Sequence, residues 1–230
     1  MIDKTEATAT VEEYLETIIN ILSEGKKVHG VHLAERLQVA PPTVVATIQR
    51  MTRDGLIITS ERKEINLTER GRKIALSVVK RHRLAERMLT DILKMPWHEV
   101  HQEACRLEHG ISQRVIDRLY ETLGRPQTCP HGNPIPDGDV LPPLQGVPLD
   151  TVTPGNTVII ERISEEANRQ EEVMQYLAQA GLMPGSVVTV NEVASYAGTM
   201  QVTMNNKKLS LGIKAATMVW VMPAGRLAGS

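Results

Sequence analysis

The chain has 230 residues, with 26 Lys or Arg, 27 Asp or Glu and a formal net charge of −1 at pH 7, enough length for several small modules at about 100 to 150 residues per domain. No apolar run approaches the roughly 18 to 20 residues of a membrane span, and Met1–Thr10 is acidic and polar rather than basic and then apolar, so a soluble, cytoplasmic protein is expected. Two cysteines, Cys105 and Cys129, are too few for a secreted disulfide framework and point to reduced thiols, which leaves thiolate ligation open.

The charge is unevenly distributed. Lys26–Arg83 holds 13 Lys or Arg against 5 Asp or Glu, a balance of +8, which leaves −9 for the remainder of a chain whose total is −1. A basic module of this kind suits a polyanion. Val11, Leu15, Ile18, Ile19 and Leu22 recur with helical spacing and Gly25 can close that helix. A short helix over Val31–Leu37 follows, then a tight connection at Gln38-Val39-Ala40. A second helix opens at Pro41-Pro42, where missing N–H groups cost nothing, and buries Val44, Val45, Ile48 and Met51 up to Asp54-Gly55. Leu56–Thr59 and Glu64–Leu67 read as two strands about a charged tip, and Thr68 caps a further helix. Helix, turn, helix and wing make a winged helix. On its outward side, Pro42, Thr43, Ala46, Thr47 and Arg50 face a DNA groove, with Arg53 and Lys63 on phosphates.

The next helix, around Val78–Leu93, carries His82 and Glu86 at i and i+4, on one face. Pro96 ends it. Trp97–His109 reads as a helix with His101, Cys105, Glu108 and His109 at i, i+4, i+7 and i+8. The first helix adds Glu13 and Glu16. Three helices therefore offer nitrogen, oxygen and sulfur donors suited to a first-row transition metal, although a His-Glu pair alone is equally a surface ion pair and Cys105 alone a small core residue.

Glu13-Tyr14-Leu15-Glu16, Leu33–Leu37, Arg81–Arg87 and His101–His109, in this order, resemble the diphtheria toxin repressor family of iron- and manganese-dependent repressors, closely over residues 11–135 and more loosely beyond. The resemblance implies a primary metal site of Glu13, Cys105, Glu108 and His109, with His82 joining in manganese-type members and Glu16 in binuclear ones, and an ancillary site of His82, Glu86 and His101. Glu13 stands where iron-type members have methionine, a manganese-type feature, whereas Cys105 keeps the iron-type sulfur. Mn²⁺ or Fe²⁺ is the implied corepressor, with Zn²⁺, Co²⁺ or Ni²⁺ as substitutes in vitro. Cys129-Pro130-His131 is either a rigid connector or, as its likeness to streptococcal manganese-type relatives implies, brings Cys129 and His131 to the ancillary site beside Glu86.

Gly124–Gly155 is rich in Pro and Gly and reads as a connector. Beyond it, Thr157–Ile163, Val187–Val193, Met200–Met204, Lys208–Leu211 and Met218–Met222 alternate as strands, with one helix at Glu171–Ala180 ended by Gly181. This suggests an SH3-like β-barrel of the ferrous-transport-accessory type, and the resemblance aligns Glu165 and Asn168, with Glu166 as the neighbouring candidate, on a carboxylate and an amide that iron-type members extend to the ancillary metal.

The expected architecture is mainly α with α+β modules: a winged helix over residues 1–75, a helical metal-binding and dimerisation domain over 76–140, a linker over 141–148 and the barrel over 149–230. The expected function is metal-dependent repression of metal-homeostasis genes by a homodimer on a pseudo-palindromic DNA operator, with no membrane partner and no enzymatic activity. Two other classes account for less of the sequence. A metal-dependent hydrolase lacks a nucleophile motif or a phosphate loop here, and a metal-buffering or transport accessory protein leaves the basic winged helix unexplained.

Overall fold

A computed structural model describes residues 7–224; residues 1–6, part of the acidic N-terminal stretch, and 225–230, the end of the expected barrel domain, lie outside the described residues. The chain divides into two compact units, one of residues 1–82, 108–111 and 135–143, the other of residues 83–107, 112–134 and 144–230. No helix of the described residues is long and apolar enough to cross a membrane.

The first unit is the winged helix. Helix α1 (Ala9–Ser23) starts at Thr8, whose hydroxyl accepts from Val11 N, and buries Val11, Leu15, Ile18 and Ile19. Helix α2 (Gly30–Leu37) stops where Gln38 turns left-handed, at φ 52°. Helix α3 (Pro41–Arg53) has proline in its first turn and buries Val44, Thr47 and Met51, a stripe at i, i+3 and i+7. Strands β1 (Ile57–Thr59) and β2 (Ile65–Leu67) form an antiparallel wing. The Thr68 hydroxyl accepts from Gly71 N and opens α4 (Glu69–Arg87), whose residues to His82 belong to this unit. Gly71 is required there, since a Cβ would stand 1.9 Å from the Leu56 carbonyl oxygen. The common core includes Leu15, Ile18, Leu33, Val44, Met51, Ile57, Ile65, Leu76 and Val79.

In the second unit, α4 passes at Met88–Ile92 into a wider, π-helical turn. The helix expected over Trp97–His109 is shorter, α5 (Val100–Leu107). Residues 97–99 are a turn after Pro96, and residues 108–110 turn away before Ser112, so Glu108 and His109 sit just past the helix instead of on its face. Helix α6 (Gln113–Thr122) follows. The barrel consists of β3 (Val147–Pro148), β4 (Thr157–Ile163), β5 (Val187–Ala194), β6 (Thr199–Met204), β7 (Lys207–Gly212) and β8 (Val219–Pro223), in the antiparallel order β3-β8-β4-β5-β6-β7. Strand β3 was not expected, because two residues carry no alternation; pairing with β8 defines it. Among the described residues three α-helices accompany the sheet: α7 (Glu165–Asn168), α8 (Glu171–Ala180), closed by left-handed Gly181, and α9 (Ile213–Ala216). Val158, Ile160, Leu177, Val188, Val190, Met200, Val202, Leu211, Val219 and Val221 fill its core, and the fully buried Arg162 stacks its guanidinium 4.0 Å from the Trp220 ring centre.

Candidate metal centres and nucleic-acid interface

The first unit gathers a cluster of imidazoles and carboxylates. His82 on α4 and Glu108 are both buried, and Glu16 on α1 joins them, with one donor atom of each within 4.8 Å of the others. His82 Nδ1 stands 2.6 Å from Glu108 Oε2. The other oxygen of Glu108 lies 3.2 Å from His109 Nε2, a buried nitrogen that makes no hydrogen bond. His109 Nδ1 is 2.7 Å from Glu12 Oε2, and Arg81 Nη2 donates to Glu12 Oε1 at 2.6 Å. Removing a carboxylate such as Glu108 from water costs several kcal/mol, at about the scale usual for a buried ion, unless cations or strong donors surround it. An orphaned ring nitrogen beside two carboxylates and a second imidazole fits a divalent cation held through nitrogen and oxygen.

Glu12 was missed in the sequence. It lies at i−4 from Glu16, which is the signal that it shares that residue's face, whereas Glu13 is rotated by about 100° and is exposed.

A second cluster lies within the second unit. Glu86, Cys129 and His131 are all buried, with donor atoms within 4.8 Å of one another. His131 Nδ1 is 3.1 Å from Glu86 Oε1, and that same oxygen is 3.3 Å from His101 Nδ1. The other His131 nitrogen, Nε2, donates to the Trp97 carbonyl at 2.7 Å, which fixes the ring so that Nδ1 faces the cluster. A tight turn presents Cys129 and His131. Gly132 N donates to Cys129 O and Cys129 N to Asn133 O, while Ile163 N donates to His131 O and Asn133 Nδ2 to Ile163 O, which pins the turn to β4. Only glycine fits at position 132: φ is +85° and a Cβ would meet the Glu161 carbonyl oxygen at 2.1 Å. The two thiols behave differently, Cys129 buried and Cys105 exposed, 3.9 Å from His101 Nε2.

Electrostatics bind this second cluster together. Burial by itself would push His131 down, but the Glu86 carboxylate and the Cys129 thiol raise it to about 10. Burial, then Glu86, push the Cys129 thiol up. From α7, Asn168 Nδ2 reaches both His131 Nδ1 and Glu165 Oε2 at 3.4 Å. Buried Arg83 donates to Glu165 Oε1 at 2.8 Å and also to the Pro134 carbonyl. Asn168 Oδ1 is buried with no hydrogen-bond partner. The barrel's carboxylate and amide thus meet the Glu86 cluster's surroundings through Glu165 and Asn168, while Glu166 is exposed.

The outer face of α3 presents Pro42, Thr43, Ala46 and Arg50, with Arg53 at its end and Lys63 at the wing tip, all exposed. Thr47 departs from expectation. It lies three residues from Val44 and four from Met51, on the buried stripe, and is 7% exposed. Val45 and Gln49 take the outward positions instead.

Three family descriptions match the chain in succession: the N-terminal DNA-binding domain of iron-dependent repressors over residues 6–65, their metal-binding and dimerisation domain over residues 68–137, and the FeoA domain over residues 147–223. The iron-dependent repressor IdeR of Mycobacterium tuberculosis is 38% identical over 198 residues, covering 80% of this chain and 85% of that protein. The diphtheria toxin repressor of Corynebacterium diphtheriae is 36% identical over 214 residues, covering 88% and 92%. Among solved structures, a manganese-dependent transcriptional repressor in complex with manganese superposes with a TM-score of 0.84 at 33% identity over 93% of this chain and 99% of that one. IdeR of T. acidophilum superposes at 0.77 and 27% identity over 95% and 100%. These relatives are DNA-binding repressors rather than enzymes, and the chain belongs to the diphtheria toxin repressor family of metal-dependent transcriptional repressors.

Proposed function

We propose that this chain represses metal-homeostasis genes by binding, as a homodimer in the cytoplasm, a pseudo-palindromic DNA operator when Mn²⁺ or Fe²⁺ is bound. The observation that carries the reading lies within one unit: α1, an element of the winged helix, places Glu16 with His82 and Glu108, and Glu12 with His109. His82, Glu108 and His109, with Glu16, would hold one ion; Glu86, Cys129 and His131, with His101, would hold another. The resemblance adds Glu13 and Cys105 to the ligands, and Glu165 and Asn168 as the barrel's contribution. A divalent cation supplies concentrated positive charge that lets several carboxylates share one site. The oxygen and nitrogen donors of the first cluster suit the harder Mn²⁺ and Fe²⁺, whereas the thiol of the second accepts softer ions such as Zn²⁺.

With these donors satisfied, α1 is tied to Glu108 and His109, and the winged helix is restricted to fewer internal arrangements. Only the difference in affinity between the restricted and unrestricted states shifts DNA binding, so the metal-free protein keeps weak, sequence-independent binding. Exposed Ile92, Leu93, Leu107 and Val115 supply apolar surface for dimer contacts. Two copies then read two half-sites.

The test is binding to a fluorescent operator selected from random DNA, with Mn²⁺, anaerobic Fe²⁺ or Zn²⁺ titrated against wild type and a Glu108→Ala, His109→Ala variant. Metal-dependent specific binding that the variant loses supports the reading. Equally tight binding in the presence of chelator overturns it.

A further inference from the structure

We infer that Glu12 is a positioning residue for the metal ligand His109, and that Arg81, Glu12 and His109 form a relay which orients the ring and links it to α1. The inference rests on the reading of the first cluster as a metal site.

The geometry of one imidazole carries it. His109 uses its two nitrogens differently. Nδ1 stands 2.7 Å from Glu12 Oε2, in hydrogen-bonding geometry, while Nε2 is buried, makes no hydrogen bond and stands 3.2 Å from Glu108 Oε1. A carboxylate on Nδ1 selects the tautomer with the proton on that nitrogen and leaves the Nε2 lone pair for coordination. Glu12 is itself fixed, because its other oxygen accepts from Arg81 Nη2 at 2.6 Å, and both side chains are largely buried. A carboxylate already engaged on both oxygens, one by a guanidinium and one by an imidazole, is poorly placed to be a ligand and well placed to aim one. Its neighbour Glu13, which the family resemblance makes a ligand, is exposed on a different face of α1 and does not share this contact.

The relay has a mechanical consequence. Glu12 lies in the first turn of α1, Arg81 lies on α4 next to the ligand His82, and His109 lies beyond the end of α5. One charged hydrogen-bond chain therefore joins the start of the winged helix to a metal ligand.

The experiment uses the full chain in a background of Cys129→Ala with His131→Ala, so that Co²⁺ titrates the first cluster. Glu12→Ala, Glu12→Gln and Arg81→Gln are compared with their parent for Co²⁺ affinity, by competition with a chelator, and for the visible Co²⁺ spectrum at saturation. Thermal midpoints of the chelated proteins check the fold. The expected result is that Glu12→Ala weakens binding about 10- to 100-fold, at the scale usual for loss of a partner behind a ligating histidine. Glu12→Gln, which keeps an acceptor for Nδ1–H, recovers part of that loss, and Arg81→Gln gives a smaller one. All reach the parent's saturated spectrum, because the ligand set is unchanged. Binding by Glu12→Ala within twofold of the parent overturns the inference, as does a changed saturated spectrum in Glu12→Gln, which makes Glu12 a ligand. If Glu12→Ala does not fold, Glu12→Gln and Arg81→Gln decide by the same criteria. Loss of metal control over DNA binding in the wild type would sink the proposed function, whereas these affinities test the relay separately.

Discussion

At Glu86, Cys129 and His131 the groups proposed to hold a metal also stabilise one another without one. His131, raised to about 10 by Glu86 and Cys129 against the effect of burial, holds a proton at pH 7, and so does the buried Cys129 thiol. Coordination requires a ring nitrogen lone pair and a thiolate, so each ion that enters must displace these protons. We expect release of about two protons per ion at pH 7, read from titration calorimetry in buffers of different ionisation enthalpy, and an affinity that rises with pH. The chelated protein should show the opposite trend. A folded-state value raised above the ordinary histidine value of about 6.5 contributes stability that is complete below about 6.5 and is lost as pH rises toward about 10. The raised thiol acts in the same direction. The urea midpoint of the chelated wild type should therefore fall more between pH 7 and 9.5 than that of His131→Gln; equal slopes and no proton release would refute this account. The resemblance carried by Cys129-Pro130-His131 brought Cys129 and His131 beside Glu86, whereas His82, expected with Glu86, is gathered with Glu16 and Glu108. What could not be read was the partner of each nitrogen. Trp97 enters through its backbone carbonyl, and Glu12 differs from Glu13 only by rotation around α1. Backbone contacts leave no periodic trace, and the i−4 spacing that puts Glu12 on the face of Glu16 does not say which side chain it meets.

Elements with strong local signals stood where the sequence placed them, and those defined by long-range contact did not. Strand β4 and helix α8 match the expected spans Thr157–Ile163 and Glu171–Ala180, because alternation marks the one and Gly181 closes the other. By contrast, α7 forms around Glu165 and Asn168, where candidate metal-reaching side chains but no helix were expected, capped by the Ser164 hydroxyl accepting from Ala167 N. Thr47, a polar residue, occupies a core position on α3, so polarity misled the reading of the outward face. The Cys129–Asn133 turn is the element on which the second cluster most depends, and Gly132 is its tightest point. A methyl group there would require a left-handed alanine and would drive the turn off β4, where Glu161 O and Arg162 Cα lie within 3 Å of the added carbon. Gly132→Ala should cost about 2 kcal/mol or more in unfolding free energy. It should also weaken metal binding at Glu86, Cys129 and His131, because the displaced turn carries two of the three proposed ligands. Chemical denaturation and a Zn²⁺ titration check both. A stable variant with unchanged affinity would mean that the turn has room the geometry does not show.

For the whole molecule, a net charge of −1 conceals a basic module, and the two descriptions predict different behaviour on DNA. If only the total mattered, a protein this close to neutrality would bind a polyanion weakly and with little dependence on salt. The local balance of +8 over Lys26–Arg83 is reduced by internal pairing: Lys27 with Glu64 at 2.7 Å, Arg36 with Glu24 at 3.1 Å, and Lys73 with Glu69 and Asp139. Arg53 is paired with Asp54 at 3.5 Å, while Arg50, Arg62 and Lys63 are exposed on α3 and the wing, so the surface that the winged helix presents keeps cations for phosphates. Counterion release depends on phosphates neutralised locally and not on the charge of the rest of the chain, with a slope of log K against log salt of about −0.9 per phosphate contact. We therefore expect metal-loaded protein to lose affinity for its operator steeply between 50 and 200 mM salt, as roughly six to ten phosphate contacts would dictate. Replacing Lys63 by alanine should reduce the magnitude of that slope by about 1 for each half-site it serves, so by about 2 in a dimer, while lowering affinity for operator and unrelated DNA alike. Exchanging Ala46 or Gln49, which carry no charge, should leave the slope alone and alter only the preference among sequences. Fluorescence anisotropy across a salt series, with both DNAs and saturating Mn²⁺, separates these effects. A wild-type slope near zero would place DNA binding on something other than this basic face.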